Sequence, residues 1–382
     1  MTTRILLGAL LAAAASPTAA IAQVVNVSGG GDVLAIAVQL AAGGTTFVVG
    51  PGVYDGFPIS DKDVTIVAPQ RATVRGYVNS TSSTGDHYLR VAGLDFVEDT
   101  SGWPLYRGAV YADGDLFVED CTMEFVRVSA TTRAQVFIRD TVITSPLRTL
   151  ALTNCDATID DTEVSGGVID TGAGYTVPGA AIELVGTTLR AERVNAYGVL
   201  ATLGPGTAVS VYASSQSSNP IVTFVDCELH AAPPVQAWPP AVSVQVAQGG
   251  EVILHDTLTP DGVTGAHTFR PLASAAWTTR DWAPGGMSDL LFTDEPTTVG
   301  TIVLGWDHER VDLPFVAEPL FVGGTPNWVL WDFGVTDAQG ELPRTITLPN
   351  VPALLYTELF ATGVFLDPVS WRATASIGGL LY

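Results

Sequence analysis

Leu116–Phe125 reads LFVEDCTMEF, and this pattern of a short alternating strand, an aspartate and a second short strand returns four more times. The later copies are VFIRDTVITS from Val136, ATIDDTEVSG from Ala157, VTFVDCELHA from Val222 and VILHDTLTPD from Val252. The aspartates fall at positions 120, 140, 161, 226 and 256, and a looser copy, LRAERVNAYG, has Arg193 in that place. The spacing is about 20 to 35 residues, which is typical of structural repeats that stack into solenoids. We therefore expect one strand-turn-strand unit per repeat, with aspartate at the turn.

The repeats favour a parallel β-helix over other all-β folds. A β-sandwich joins neighbouring strands by hairpin turns, and Asp113–Gly114 and Asp261–Gly262 are too few to serve every strand pair. A propeller needs longer blades of four strands. Coils that share a core but differ in their outer loops explain the unequal repeat lengths. The many valine, threonine, glycine and alanine residues also indicate an all-β protein.

An amphipathic segment, Asp32–Ala41, precedes the repeats and predicts a helix that ends at Gly43–Gly44. Asp32 is placed to cap its N-terminus. The apolar residues on one face of this helix are Val33, Ile36, Ala37 and Leu40. The first coil of a solenoid exposes core residues and strand edges, so we expect the helix to cover that open end.

The run VLAIAVQLAAGG-TTFVVGPGVYDGFPI-x₄-VTIVAP, which begins at Val33, resembles the opening of right-handed parallel β-helix repeat proteins of the pectate-lyase-like superfamily. The units with Asp120–Cys121, Asp140–Thr141 and Asp226–Cys227 resemble that family's coil repeat. The resemblance covers roughly residues 25 to 290 and implies a right-handed parallel β-helix. The superfamily includes lyases, hydrolases, adhesins and proteins without known activity. The resemblance implies that any catalytic site lies in a groove on the outer face of the coils.

The sequence predicts three segments. Residues 1–22 have the order of a secretory signal peptide, with a basic start, an apolar run too short to span a membrane, and small residues before Gln23. Residues 23–290 carry the predicted β-helix. Residues 295–382 lose the aspartate repeat and become rich in proline and tryptophan, and we expect a small β-sandwich-like domain there. The protein is therefore expected to be secreted and extracellular, with no membrane span.

The chain is strongly acidic, with 39 Asp and Glu against 17 Lys and Arg and a net charge of −22. Such a surface repels phosphate backbones, so we expect no nucleic acid partner. Polyuronates and sulfated glycans are repelled as well, unless Ca²⁺ bridges the two surfaces. The sequence contains no Gly-x-Ser-x-Gly elbow, His-Glu-x-x-His helix, Walker loop or Cys/His zinc spacing.

The three cysteines, Cys121, Cys155 and Cys227, are an odd number, which argues against a disulfide framework. Cys121 and Cys227 hold the same repeat position in coils that are not neighbours. Adjacent coils lie ~4.8 Å apart, which places the two Cα atoms beyond the ~7 Å limit for a disulfide. We expect all three to be small buried core residues.

Asp160 and Asp161 are the catalytic candidates. The resemblance includes polygalacturonase-type hydrolases, which would require grouped aspartates for inverting acid and base chemistry, in the motifs N-T-D, D-D, G-H-G and R-I-K. Only the D-D element is present, as Asp160–Asp161. Asp161 also holds the repeated turn position, so a structural role accounts for it.

Asp113, Asp115 and Asp120 are the calcium candidates, because they form the densest acidic group together with Glu119. Carboxylates from adjacent coils could converge on one Ca²⁺ at ~2.3–2.6 Å. Hydrogen bonding within each aspartate turn is the alternative explanation. Apart from this possible calcium ion, the sequence indicates no required cofactor.

The segment from Gly262 to Met287 brings Trp277 and Trp282 together with Arg280 and Asp281. An aromatic face beside Arg and Asp is suited to stack on a sugar and to bond its hydroxyls, so these four residues are the carbohydrate candidates. The alternative is that both tryptophans fill a core or plug the end of the β-helix.

The sequence is compatible with two functions. The missing motifs favour a non-catalytic protein that binds extracellular polysaccharide or serves as a structural or adhesive surface component. The alternative is a polysaccharide lyase or glycoside hydrolase with a divergent site. Three or more titratable side chains converging in one outward groove would indicate the enzyme.

Overall fold

The computed structural model describes residues 23–99, 108–145, 149–170, 176–214, 220–234, 238–247, 249–306, 308, 310–313, 316, 319–322, 328–366 and 371–382. Strands make up 62% of the described residues, which confirms the predicted all-β class. The predicted signal peptide, residues 1–22, lies outside the described residues.

The chain forms two compact units, one over Val25–Pro271 and one that contains Leu272–Tyr382. The loss of the aspartate repeat predicted a boundary near residues 290 to 295. The boundary lies earlier because the strand Ser274–Thr279 pairs antiparallel with Met287–Thr293. Both strands therefore fold with the C-terminal unit.

The first unit contains one large sheet of 22 strands among the described residues and two small antiparallel hairpins, β13–β14 and β18–β19. In chain order its strands are β1 (Val24–Val27), β2 (Thr45–Val49), β3 (Val53–Ser60), β4 (Val64–Thr81), β5 (Tyr88–Val97), β6 (Ala109–Ala112), β7 (Asp115–Glu119), β8 (Thr122–Met123), β9 (Phe125–Arg139), β10 (Val142–Thr144), β11 (Leu150–Asp160), β12 (Glu163–Gly166), β13 (Val168–Asp170), β14 (Thr176–Pro178), β15 (Ala180–Val185), β16 (Thr188–Glu192), β17 (Asn195–Gly198), β18 (Leu200–Ala201), β19 (Gly204–Pro205), β20 (Thr207–Tyr212), β21 (Ile221–Val225), β22 (Glu228–His230), β23 (Val244–Val246), β24 (Glu251–His255), β25 (Val263–Thr264) and β26 (His267–Phe269).

The large sheet consists of three parallel ladders, which the chain visits in a fixed order. We call one passage through the three ladders a coil. In the first ladder β7 pairs with the end of β9, in the second β8 pairs with β10, and in the third the start of β9 pairs with the start of β11. Each strand of one coil thus lies beside the equivalent strand of the next coil, as the repeat predicts.

Alternate side chains of all three ladders enter one hydrophobic core. Leu116 and Val118 of the first ladder, Met123 of the second and Val126 of the third are examples. This alternation is the two-residue period of a β-strand. The three cysteines are free and buried in the same core, which confirms their predicted role. Burial raises the pKa of each of their thiols to about 12.

The repeated aspartates all adopt the left-handed backbone conformation. The angle φ is 49° at Asp120, 46° at Asp140, 44° at Asp161, 52° at Asp226 and 45° at Asp256, and Arg193 of the looser copy has φ 52°. This conformation costs most residues roughly 1–2 kcal/mol, whereas a short polar side chain can bond locally and tolerate it. The predicted turn position is therefore confirmed.

The predicted N-terminal helix forms as α1 (Val33–Leu40), with Asp32 at its N-cap position but without a side-chain capping bond. The predicted buried face was wrong. The buried residues are Leu34 and Val38, which lie four residues apart and therefore on one side of the helix. The residues of the predicted face that are exposed are Val33, Ile36 and Leu40. The segment is apolar almost all round, so its pattern could not define the face.

Among its described residues, the second unit contains two larger antiparallel sheets, one ordered β27-β28-β33 and one ordered β32-β29-β34-β35 with β36 beside β34, and the two-stranded sheet β30-β31. Side chains of both sheets share one core, which includes Phe292, Ile302 and Phe365. No described helix of the protein is both long and apolar enough to cross a membrane. In its described residues the second unit has the following strands and 3₁₀ helix: β27 (Ser274–Thr279), β28 (Met287–Thr293), β29 (Val299–Gly305), β30 (Arg310–Val311), β31 (Leu320–Phe321), β32 (Trp328–Val335), β33 (Glu341–Thr347), the 3₁₀ helix Pro352–Leu354, β34 (Glu358–Leu366), β35 (Trp371–Ala373) and β36 (Ile377–Leu380).

Candidate functional site

The catalytic candidates Asp160 and Asp161 both bind Arg193, which comes from the next coil. The Arg193 Nη2 group donates to Asp160 Oδ1. Its Nε group donates to Asp161 Oδ1 at 2.8 Å. Its Nη1 group lies 3.5 Å from Glu192 Oε2. The side chain that replaces aspartate in the loosest repeat therefore joins three carboxylates.

Asp160 has no exposed surface. Burial raises the pKa of its carboxyl well above the usual range, and the Arg193 guanidinium acts in the opposite direction. Burial lowers the pKa of Arg193, but the carboxylates of Asp160, Glu192 and Asp161 raise it by more, so the guanidinium stays charged. Asp160 thus lies in a buried ionic contact between coils and is not accessible to a substrate in this structure.

Two of the three calcium candidates, Asp115 and Asp120, use their carboxylates in contacts with other parts of the protein. Asp115 Oδ1 accepts a hydrogen bond from the Gln135 backbone at 2.7 Å. Asp120 Oδ1 lies 2.9 Å from Arg71 Nη2. The Asp113 backbone donates to the Ser80 carbonyl at 3.1 Å. Among the described residues there is no group of three His, Cys, Asp or Glu side chains placed to hold a metal ion.

The carbohydrate candidates lie in the second unit. Trp282 is only 6% exposed, belongs to the core and donates from Nε1 to the Gly379 carbonyl at 3.3 Å. Trp277 contacts it edge to face, with the ring centres 4.7 Å apart. The Arg280 guanidinium carbon lies 6.0 Å from the Trp277 ring, and the Asp281 backbone donates to Ser288 Oγ at 2.8 Å. The Trp282 ring therefore has no open face on which a sugar could stack.

A groove that sequence reasoning missed lies on the outer face of the third ladder. Its volume is about 580 Å³. A column of four outward polar side chains in successive coils lines its floor. The residues of this column, each the Cα partner of the next, are Glu183, Ser210, Gln245 and Thr264.

The walls of the groove come from the connections between the second and third ladders. Leu203, Gly204 and Pro205 line it from the β18–β19 hairpin, and Trp238 begins a second lining segment that continues to Val242. Gly204 has φ 136°, and a Cβ atom there would lie 3.6 Å from the Trp238 ring. That distance is an ordinary contact, so the backbone conformation and not the space beside the ring favours glycine at this position.

Trp238 and Tyr212 give the groove two accessible aromatic side chains, which are 42% and 38% exposed. Glu183 is the one charged residue among the described residues that line it. The remaining polar lining consists of hydroxyl and amide groups. Such a surface can stack on an apolar ring face and exchange hydrogen bonds with hydroxyl groups.

The sequence carries a signal for this groove. The connections 167–179, 199–206 and 231–243 follow the second-ladder strand in three consecutive coils, whereas Glu124 alone joins β8 to β9. Two of them contain the Gly- and Pro-rich runs LGPG and PPVQAWPP. Long insertions at one corner of successive coils predict a walled groove on the adjacent face.

Comparisons with known proteins leave this protein without a family assignment. No protein-family model matches the sequence, and no curated protein matches it. Among solved structures, it is similar to the enzymatically active domain of tailspike protein 2 from bacteriophage CBA120, at 10% sequence identity. The alignment covers 94% of this chain and 71% of that chain, with a TM-score of 0.29.

Proposed function

We propose that this is a secreted, non-catalytic protein that binds extracellular polysaccharide in the groove of the third ladder, as a free or adhesive surface component. The observation that carries the proposal is a polar column beside accessible aromatic rings. The column begins at Glu183, and Trp238 and Tyr212 supply the rings.

The polar floor suits sugar hydroxyls, which both donate and accept hydrogen bonds. The hydroxyl of Thr264 and the amide of Gln245, which are exposed, can do both, and the Glu183 carboxylate accepts. The Ser210 hydroxyl is buried and shares a hydrogen bond of 3.2 Å with Thr207 Oγ1. Because these groups lie in one register column, their spacing is the ~4.8 Å distance between coils. A regular row of partners favours a repeating ligand over a compact one.

The aromatic rings support the same conclusion. Trp238 and Tyr212 expose large, amphipathic rings at the edge of a polar floor. An aromatic ring offers an apolar face with few rotatable bonds, and a sugar ring offers an apolar face of C–H groups. Stacking of the two faces would orient the glycan so that its hydroxyls meet the floor.

The charge of the groove favours binding without catalysis. Glycoside hydrolysis uses a pair of carboxyl groups on opposite sides of the scissile bond. The described lining contains only one carboxylate, Glu183, and no Lys, Arg or His that could act as a base. A polysaccharide lyase or a hydrolase with a divergent site is the alternative.

The proposal includes the finer features of the fold. Three parallel ladders around one core support a right-handed parallel β-helix. The burial of Leu34 and Val38 in that core supports a capping role for α1. Two antiparallel sheets with a shared core support a β-sandwich-like second unit. The order of residues in 1–22 supports secretion.

The test is a calorimetric titration of the mature protein against neutral and acidic polysaccharides, with and without Ca²⁺. We expect binding to at least one glycan and a loss of about tenfold in affinity, or ~1.4 kcal/mol, in W238A. The matched control is F269A, which removes an aromatic side chain that is 63% exposed and lies outside the groove. Binding to no glycan, or equal losses in W238A and F269A, would contradict the proposal.

The same samples test the enzymatic alternative. Release of reducing or unsaturated ends from any glycan would establish an enzyme. Its loss in a D160N/D161N variant that remains folded would assign the activity to that pair. Its loss in E183Q, which leaves the Arg193 contacts intact, would assign it to the groove.

A further inference from the structure

We infer that the protein has a second glycan subsite, formed by Asn79, Tyr111 and Arg127, which lies in line with the groove but in coils nearer the N-terminus. The inference deepens the proposed function and rests on it, because one linear polysaccharide would occupy the groove and this subsite together. None of the three residues belongs to the repeat pattern, and none lines the groove. The subsite would select long chains over short ones.

The three residues continue the register column that forms the floor of the groove. Asn79 is the Cα partner of Tyr111, and Tyr111 is the partner of Arg127. Arg127 pairs in turn with Ala151, and Ala151 pairs with Glu183, the first floor residue. The column from Asn79 to the last floor residue thus occupies eight successive coils. It spans about 34 Å at the usual strand spacing.

The side chains of the subsite point away from the core. The core residues Val126 and Val128 flank Arg127, so strand alternation directs the Arg127 side chain outward. Tyr111 and Asn79 share its register column and therefore its direction. Arg127 is exposed, and the other two are half-buried. In the part of the chain that the structure describes, neither the Asn79 amide nor the Arg127 guanidinium forms a hydrogen bond or ion pair, so both can bond a ligand.

The Tyr111 ring is held between two other aromatic rings. Its centre lies 5.8 Å from that of Tyr77 and 5.5 Å from that of Phe125, both in T-shaped contact. Two such contacts restrict the rotation of the ring, so binding a sugar beside it costs little side-chain entropy. A fixed aromatic ring between an amide and a guanidinium offers a sugar both an apolar surface and hydrogen-bond donors for its hydroxyls.

The subsite lies within reach of a chain that extends out of the groove. Two strand spacings, or about 10 Å, separate Arg127 from Glu183, and Ala151 between them carries only a methyl group. In the coil of Arg127, Glu124 alone joins the second ladder to the third, so no long connection stands beside Arg127. A linear glycan that leaves the groove along the column, across the strands, therefore reaches Arg127 next.

The experiment measures how affinity depends on chain length. Linear oligosaccharides of increasing length are prepared from the polysaccharide that binds most tightly in the titration above, and their dissociation constants are measured by calorimetry. The proteins are the wild type, N79A, R127A, the double variant N79A/R127A and the control R75A. Arg75 is exposed, lies in the second ladder and does not line the groove, so R75A removes the same charge elsewhere. Urea unfolding verifies that each variant is folded.

We expect the affinity of the wild type to rise in two stages, first until the groove is filled and then at least tenfold further once the chain reaches Arg127. The second stage arises because a ligand that spans two subsites binds the second one intramolecularly. The shortest chains that bind should bind all the variants as they bind the wild type. For the longest chains, R127A and N79A should each lose part of the second stage, the double variant should lose all of it, and R75A should retain it.

Two kinds of result would overturn the inference. If the affinity of the wild type stops rising once the groove is filled, or if N79A/R127A binds the longest chains as tightly as R75A does, there is no second subsite and the proposed binding function still stands. If no polysaccharide binds, or if binding is unaffected by W238A, the proposed function fails and the inference fails with it.

Discussion

Cys121 and Thr141 hold the same position in neighbouring coils, directly after the turn aspartate, and each side chain donates to the carbonyl oxygen two residues earlier. The Cys121 Sγ atom lies 3.1 Å from the Glu119 oxygen, and the Thr141 Oγ1 atom lies 2.7 Å from the Arg139 oxygen. The same bond recurs in other coils, where the donors are Thr162, Cys227 and Thr257. In these five coils the position therefore holds a small side chain with one donor, whereas the looser copy has the buried Val194 there.

This relationship predicts that C227T keeps the stability of the wild type, because a hydroxyl replaces the thiol as donor to the Val225 carbonyl, which lies 3.2 Å away. C227V has a similar shape without the donor, and we expect it to lose about 1 kcal/mol, the usual net contribution of a hydrogen bond. Urea unfolding of the full chain measures both. Equal stability of C227T and C227V would show that the donor is not required.

Arg193 is expected to be the most important ionic side chain for stability. R193M leaves the buried Asp160 carboxylate without the guanidinium, and breaking a buried pair in this way costs about 3–5 kcal/mol. A second substitution, D160N, should recover part of that loss because it removes the uncompensated charge. The control is R310M, whose partner Asp312 is largely exposed, and its cost should be below about 1 kcal/mol. Similar unfolding free energies for R193M and R310M would contradict this expectation.

Lys62, the sole lysine, anchors the C-terminal end of α1. Its ammonium lies 3.0 Å from the Val38 carbonyl oxygen and 3.2 Å from those of Gln39 and Ala41. A cation at a helix C-terminus also interacts favourably with the helix dipole. K62M should therefore cost about 1–2 kcal/mol and speed amide exchange in α1, and K62R should retain part of both effects. Unchanged hydrogen exchange in K62M would contradict this role.

His308 makes stability depend on pH. Its ring is 1% exposed and lies 5.4 Å from the rings of Phe321 and Phe360. Burial lowers its pKa to about 3, against about 6.5 in an unfolded chain. Between these values only the unfolded chain binds the proton, so stability falls as the pH drops below about 6.5 and does not depend on this group above it.

The measurement for His308 is chemical unfolding at pH 7 and pH 5. The wild type should lose about 2 kcal/mol more than H308F over this interval, which follows from 1.36 kcal/mol per pH unit below 6.5. H267F is the control, since His267 is exposed. A pH dependence that H308F shares with the wild type and with H267F would assign the effect to other groups.

The features predicted correctly from the sequence depend on neighbours along the chain. The aspartate turn was predictable because a left-handed residue needs a short polar side chain or glycine, whatever lies around it. Burial of the cysteines followed from the alternation of each strand. The helix at Val33–Leu40 was predictable, but its buried face was not, because apolar residues surround it on nearly all sides.

The candidate sites were less predictable because they depend on which coils lie side by side. Asp160–Asp161 resembles a catalytic pair until Arg193, 32 residues from Asp161, is placed against both carboxylates. Trp282 resembles a sugar platform until the second unit's sheets bury it. The floor of the groove forms because Glu183, Ser210 and Gln245 lie in one column. These residues are separated by unequal numbers of residues along the sequence, so no sequence period indicates the column.

The sequence by itself determined the strand-turn-strand repeat, the all-β class and the buried thiols, because local backbone preference and two-residue alternation decide them. Only the tertiary structure decided the groove. Its floor depends on register between coils, and its walls depend on connections of unequal length. Register is set by packing and hydrogen bonding across the ladders, so Glu183 and Trp238 line the same groove only when the coils are stacked.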